Sequence, residues 1–254
     1  LLGQEVTFQT SVVPLTIPEA VGLTKWYRRN VFGEKIAPEF EEAIKQIELK
    51  VQTAMDSIGC GNGFFVRMFS RSPKDSVLYE MPGWPERSRS LFSELVGSIS
   101  KVYKGIDIPQ ESDKGNIRFN EEYRVWMRTG LAALNVKDAR EALLLLGHSE
   151  RVFTDTNSAL EFQKLWHTSI ALRPWTKLVH EWEFRGFVSH WELTALSQYD
   201  PYVFVEEFQS QDTKAHIMIT INNFWKNVVR PKIRTADAEE KGNFVIDFGF
   251  VEGT

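Results

Sequence analysis

The stretch WEFRGFVSHWELTALSQY, residues 182–199, constrains the fold more than any other part of this chain. Two runs rich in aromatic and β-branched residues flank Ser189, His190 and Trp191, the pattern of two antiparallel strands joined by a short turn. Side chains two apart share a face of a strand, so Glu183, Arg185 and Phe187 are expected on one side and Phe184, Gly186 and Val188 on the other. A carboxylate and a guanidinium then stand beside Phe187 in a hairpin flanked by hydrophobic sequence. Two readings follow: a solvated face with a weak cross-strand ion pair, or the floor of an anion-binding cleft.

Such a hairpin needs more chain to cover it. At 254 residues there is enough for one large or two small domains with a sizeable core. Hydrophobic residues at 43% and charged residues at 25% suit a soluble globular protein, and two lobes with a cleft between them fit that balance. A net charge of −4 and a pI near 5.8 argue against direct nucleic-acid binding. Coating a polyanion needs a basic surface that releases counterions, although a local basic pocket remains compatible. The single cysteine, Cys60, rules out an intramolecular disulfide framework and suits a reducing, cytoplasmic compartment. Between a helical run and Gly61-Asn62-Gly63 it reads as a small apolar filler rather than a nucleophile. No run reaches the roughly 18 apolar residues of a membrane span. Because the sequence begins at Leu1, the lack of a targeting segment carries no weight.

Along the chain, residues 5–17 read as extended structure interrupted by Pro14. Phe40, Ile44, Ile47, Val51, Met55 and Ile58 recur at intervals of three and four and predict a helix, with Pro38 in its first turn and Gly59 as its stop. Phe64 to Phe69 form a short apolar strand with Arg67 inside it. A buried unpaired guanidinium costs several kcal/mol, so Arg67 is expected to meet a carboxylate, a bound anion or water. The turn Ser70 to Asp75 adds Arg71 and Lys74, either as an ordinary surface turn or as part of a cationic cluster.

Helical patterns recur at 86–104, 119–131 and 138–147, the last opened by Asp138 and closed by Gly147, with Leu143 to Leu146 buried; 105–116 read as a loop. A strand follows over Ile170 to Trp175, then the hairpin. An amphipathic helix over 213–229 is expected to turn Ile217, Ile221, Phe224, Trp225 and Val228 to one side. A final strand runs from Asn243 to Phe250, and Glu252-Gly253-Thr254 has the character of a turn, so the sequence is expected to stop midway through a hairpin.

Asp247 lies amid apolar neighbours in that strand, a costly place unless it is hydrogen-bonded or holds a metal. Asp247-Phe248-Gly249 is also the protein-kinase tripeptide, yet no HRDxxxxN or HxDxxxxN loop precedes it and no glycine-rich nucleotide loop exists. HExxH, CxxC and GxSxG are absent, and the five histidines lack metal spacing.

One ordered set of short motifs is more specific. It comprises Phe65-Val66-Arg67-Met68 with Arg71 to Asp75, Leu172-Arg173-Pro174-Trp175, Glu183 to Val188, Leu196-Ser197-Gln198-Tyr199, and Phe244-Val245-Ile246-Asp247. In this order it resembles the cell division cycle protein 123 family over residues 58–76 and 140–251. That resemblance implies an α+β, ATP-grasp-like fold, two lobes with antiparallel sheets clamping a nucleotide cleft. The lobes would be 1–169, carrying an insert at about 77–130, and 170–254.

It further implies ATP and Mg²⁺ as ligands. Arg67 would meet the phosphates, the turn with Lys74 and Asp75 would lie over the nucleotide, and the backbone of Ile170, Ala171 and Leu172 would meet adenine. Arg185 would project to the phosphates and Asp247 would hold the metal. Members act as assembly factors for eukaryotic translation initiation factor 2 through its gamma subunit, and the same is expected here. The rival is an ATP-dependent carboxylate-amine ligase or phosphotransferase using the same cleft, with the arginines stabilising transferred phosphate charge. A further alternative is a nucleotide-free interaction module whose charges form structural ion pairs. The family's next strand, with an acidic residue and Asn before Pro, does not follow Thr254, so a truncated sequence is expected.

Overall fold

The computed structural model describes residues 7–76, 120, 123–124, 127–128, 130–162, 167–234 and 242–251. The expected helix at 86–104, the loop at 105–116, nearly all of the insert at 77–130 and the turn at 252–254 lie outside the described residues. Those described between 120 and 132 are helical, as expected. The described parts of Gln9–Ile108 and Val125–Trp175 make one compact unit, and those of Leu1–Phe8, Pro109–Arg124 and Thr176–Thr254 another. The break therefore falls at 175/176, not at the expected 169/170. Among the described residues, no helix is long and apolar enough to cross a membrane.

In the larger unit, strands β1 (Ser11–Pro14), β2 (Phe64–Met68), β3 (Asn135–Val136) and β4 (Ser169–Pro174) form an antiparallel sheet in the order β1-β4-β2-β3. The interior position of β4 explains the shifted break, because its partners on both sides belong to this unit. One sheet face, bearing Val13, Val66, Met68, Ile170 and Leu172, packs into a core with the helices.

Within the stretch read as extended, 5–17, Ser11–Pro14 is strand among the described residues, and the last residue of that stretch opens helix α1 (Ile17–Phe32). Its signal was a capping box: Thr16 N–H donates to Glu19 Oε2 at 2.8 Å, and Thr16 Oγ1 accepts from Glu19 N–H. Buried Glu19 also meets Lys50 Nζ at 2.7 Å on α2 (Pro38–Ile58). Burial pushes the Glu19 carboxyl up, but hydrogen bonds from Lys50 and Thr16 outweigh it and hold it below the usual range. Helix α2 has the expected bounds and buries Ile44, Ile47, Val51 and Met55; Gly59, at φ 66°, caps it. Cys60 packs half-buried against this core.

Helix α3 (Ala139–His148) starts at Asp138, whose Oδ1 accepts from Glu141 N–H at 2.8 Å. Gly147 does not end it. That glycine is buried inside the helix, where any Cβ would collide with the Trp26 ring. Ser149 ends α3 and at once caps α4 (Glu150–Glu161), a helix the hydrophobic periodicity had not marked.

The smaller unit holds β5 (Leu178–Ser189), β6 (Glu192–Gln198) and β7 (Phe244–Val251), an antiparallel sheet in the order β6-β5-β7. Helix α5 (Gln211–Phe224) runs into a π turn, Trp225–Val229, and the short α6 (Arg230–Ile233). The buried positions are Ile217, Ile221, Trp225 and Val229, four apart throughout. An uninterrupted α-helix at 3.6 residues per turn would bring Phe224 and Val228 inward, as the sequence reading expected. The π turn slows the rotation, so Phe224 is exposed, while Trp225, expected inward as well, is fully buried.

Candidate functional site

The hairpin forms as the sequence predicts. His190 and Trp191 supply a two-residue turn with φ of 51° and 63°, the left-handed pair of a type I′ connection. Neither is glycine, so the turn is held from outside. Asn243 Oδ1 accepts from His190 N–H and from Ser189 Oγ at 3.0 Å each, and Trp191 N–H donates to the Gly242 carbonyl. Phe184, Gly186 and Val188 face inward. Phe184, Val188 and Phe248 then pack on Phe208, Ile217 and Trp225.

Arg185 and Phe187 lie on the opposite face, and β7 aligns Asp247 directly across from Arg185 and Val245 across from Phe187. Arg185 Nε and Nη2 donate to Asp247 Oδ1 and Oδ2 at 2.9 and 3.1 Å, a bidentate pair. The two side chains are 42% and 44% exposed. Asp247 is therefore not the buried carboxylate that its apolar neighbours suggested, because strand alternation turns it outward. The Asp247 hydrogen bonds favour the charged Arg185, whose guanidinium also lies 4.9 Å over the Tyr199 ring. Glu183 pairs with His180 Nδ1 at 2.9 Å.

For Mg²⁺, Asp247 offers one carboxylate. Among the described residues no group of three His, Cys, Asp or Glu side chains could hold a metal. Magnesium is commonly held by one or two carboxylates with phosphate oxygens and water completing its shell. Asp247 fits as one such ligand once Arg185 releases it, and a half-exposed pair contributes only about 0–1 kcal/mol against that release.

In the larger unit, Arg67 is half-buried on β2. Its Nε donates to the Met68 carbonyl at 2.9 Å, and Nη2 makes longer contacts of 3.4 Å with the Phe69 and Ser70 carbonyls. Backbone oxygens, which the sequence reading had not considered, thus partly satisfy it. Arg71 pairs with Asp155 at 3.1 Å, while Lys74 is half-buried in the following turn. Asp75 accepts from Ser149 Oγ at 2.6 Å and from Arg151 N–H at 3.1 Å, so it caps α4. Ile170, Ala171 and Leu172 are buried, and their backbone is paired with β1 on one side and β2 on the other.

Arg173, beyond them on β4, had been given no role. Its place beside Arg67 follows from the β2–β4 register, which local sequence does not reveal.

These observations define a class: a mixed α+β protein with two antiparallel sheets, one backed by helices α1 to α3 and the other by α5 and its π turn. A model of the D123 family matches residues 124–252. The chain belongs to this family, as the ordered motifs implied. Cdc123 from Schizosaccharomyces pombe has a similar fold, with TM-score 0.56 and 18% identity over 98% of this chain and 74% of that one. A C-terminally truncated Cdc123 from the same organism gives TM-score 0.56 and 19% identity, over 98% of this chain and 75% of that one. No curated protein sequence matches.

Proposed function

We propose that this chain binds ATP with Mg²⁺ in an ATP-grasp-like clamp and serves as an assembly factor for eukaryotic translation initiation factor 2, contacting its gamma subunit. Membership of the D123 family supports the assembly theme. The observation that carries nucleotide binding is the Arg185–Asp247 pair, two opposite charges aligned on an outward sheet face. A guanidinium that can turn from carboxylate to phosphate, beside a carboxylate thereby freed for a cation, is a resting arrangement suited to a metal-bound polyphosphate. When bound, Mg²⁺ would neutralise phosphate charge, and Asp247 would be its protein ligand.

Calorimetric titration of Mg-ATP tests this. The parent chain binds, while Arg185→Ala and Asp247→Ala each weaken binding by about tenfold or more. No binding by the parent rejects nucleotide binding, and parent-level binding by both variants rejects the Arg185–Asp247 pair as its site. The partner half is tested by co-purification with the gamma subunit, whose failure to associate with or without Mg-ATP rejects it. ADP release stimulated by an added carboxylate would instead favour a ligase.

A further inference from the structure

Helix α5 and its π turn bury one straight row of side chains, Ile217, Ile221, Trp225 and Val229, at intervals of four. Because the π turn holds that interval, the rows on the outward side also stay in line from α5 into the turn. One carries Lys214, Met218, Asn222 and Lys226, the other Ala215 and Ile219. Asn222 is half-buried and the other five are exposed. Met218 and Ile219, side by side at the middle, are 59% and 60% exposed. Full burial of such a side chain is worth about 1.5–3 kcal/mol, so the pair is a source of binding energy that the fold leaves unused.

The charge around them has one sign. Lys214 and Lys226 bracket the pair at a separation of ~18 Å along the axis, and among the described residues neither has an ion-pair partner. Neither row carries a carboxylate. Over residues 211–234 Lys214, Lys226, Arg230, Lys232 and Arg234 stand against Asp212 alone, in a chain whose net charge is −4.

This charge pattern selects the occupant. A second copy is disfavoured, since two α5 helices related by a two-fold axis, parallel or antiparallel, bring the bracketing lysines of one against those of the other. A membrane surface calls for a wide apolar face rich in Trp, Phe or Leu, whereas Met218 and Ile219 project between polar side chains. A helix of another protein, apolar at its middle and acidic at both ends, matches the aliphatic pair and the lysines together.

We propose that the outward face of α5, centred on Met218 and Ile219 and bracketed by Lys214 and Lys226, docks a helical segment of a partner protein that carries aliphatic side chains between carboxylates. The surface stands on α5 and its turn alone and goes beyond the nucleotide reading.

The probe is a fluorescein-labelled synthetic helix of about 18 residues, ~27 Å long, with Leu on one face and Glu at both ends, compared with a counterpart that has Lys for each Glu. Anisotropy titrations with the parent chain are expected to show saturable binding of the Glu peptide, weakened by added salt, and binding of the Lys peptide about tenfold weaker or less. Met218→Ala combined with Ile219→Ala should lower affinity for the Glu peptide about tenfold or more. Lys214→Glu combined with Lys226→Glu should reverse the preference between the peptides. All four positions are exposed, so both double variants should melt at the parent temperature. Should the alanine variant melt well below it, the charge-reversed variant carries the comparison alone. No saturable binding of the Glu peptide, equal binding of the two peptides, or parent affinity in the double variants overturns the proposal. Dimerisation in sedimentation velocity that the alanine variant abolishes overturns it in favour of a second copy. Co-sedimentation with phosphatidylserine vesicles that the same variant loses overturns it in favour of a membrane surface.

Discussion

His148 shows how a residue can be legible in type yet not in role. Its spacing gives no metal signal; the structure buries it at the end of α3. Its Nδ1 lies 2.8 Å from the Leu144 carbonyl, and since that oxygen only accepts, Nδ1 must carry the proton. Burial lowers the His148 pKa, and the Leu144 contact only partly offsets that. The unfolded chain consequently takes up a proton at higher pH than the folded one. The stability contribution is full above about pH 6.5 and is lost as pH falls from there towards the lowered folded value. Melting temperatures between about pH 5 and 7 should show this decline, and His148→Gln should flatten it. An unchanged slope would remove His148 as the cause.

At the scale of elements, hydrophobic spacing found α2 to the residue but missed α1 and α4, whose starts are written in caps. Thr16 with Glu19, and Ser149, were the available signals. Asp75 strengthens the second start from more than seventy residues away, through Ser149 Oγ and Arg151 N–H. Asp75→Ala should cost about 1–2 kcal/mol in denaturant unfolding, and Asp75→Asn less, because it keeps an acceptor. Equal losses would mean that charge rather than capping matters. The π turn makes a sharper distinction. Val229 is buried and Val228 only partly so, hence Val229→Ala should cost about 1.5–3 kcal/mol and Val228→Ala under about 1 kcal/mol. The reverse ranking would show a continuous α-helix in solution.

For the molecule as a whole, a ligand that binds only the folded chain raises its stability by mass action. At a hundredfold excess over Kd, Mg-ATP should add about 2.7 kcal/mol, visible as a rise of several degrees in melting temperature that Arg185→Ala reduces. No rise would count against nucleotide binding as strongly as a flat titration. By itself the sequence determined the hairpin at 182–199, the inward face of α2, the strand character of β4 and β7, and the family. Each depends on side-chain alternation or on a motif contained in a few neighbouring residues. Only the tertiary structure decided that Asp247 faces Arg185 in the open, that β4 lies between β1 and β2, that Gly147 makes room for Trp26, and that Arg67 and Arg173 stand together. Strand register and helix crossing join residues tens to hundreds of positions apart, and the free energy that fixes them comes from the burial of whole faces rather than from any local run.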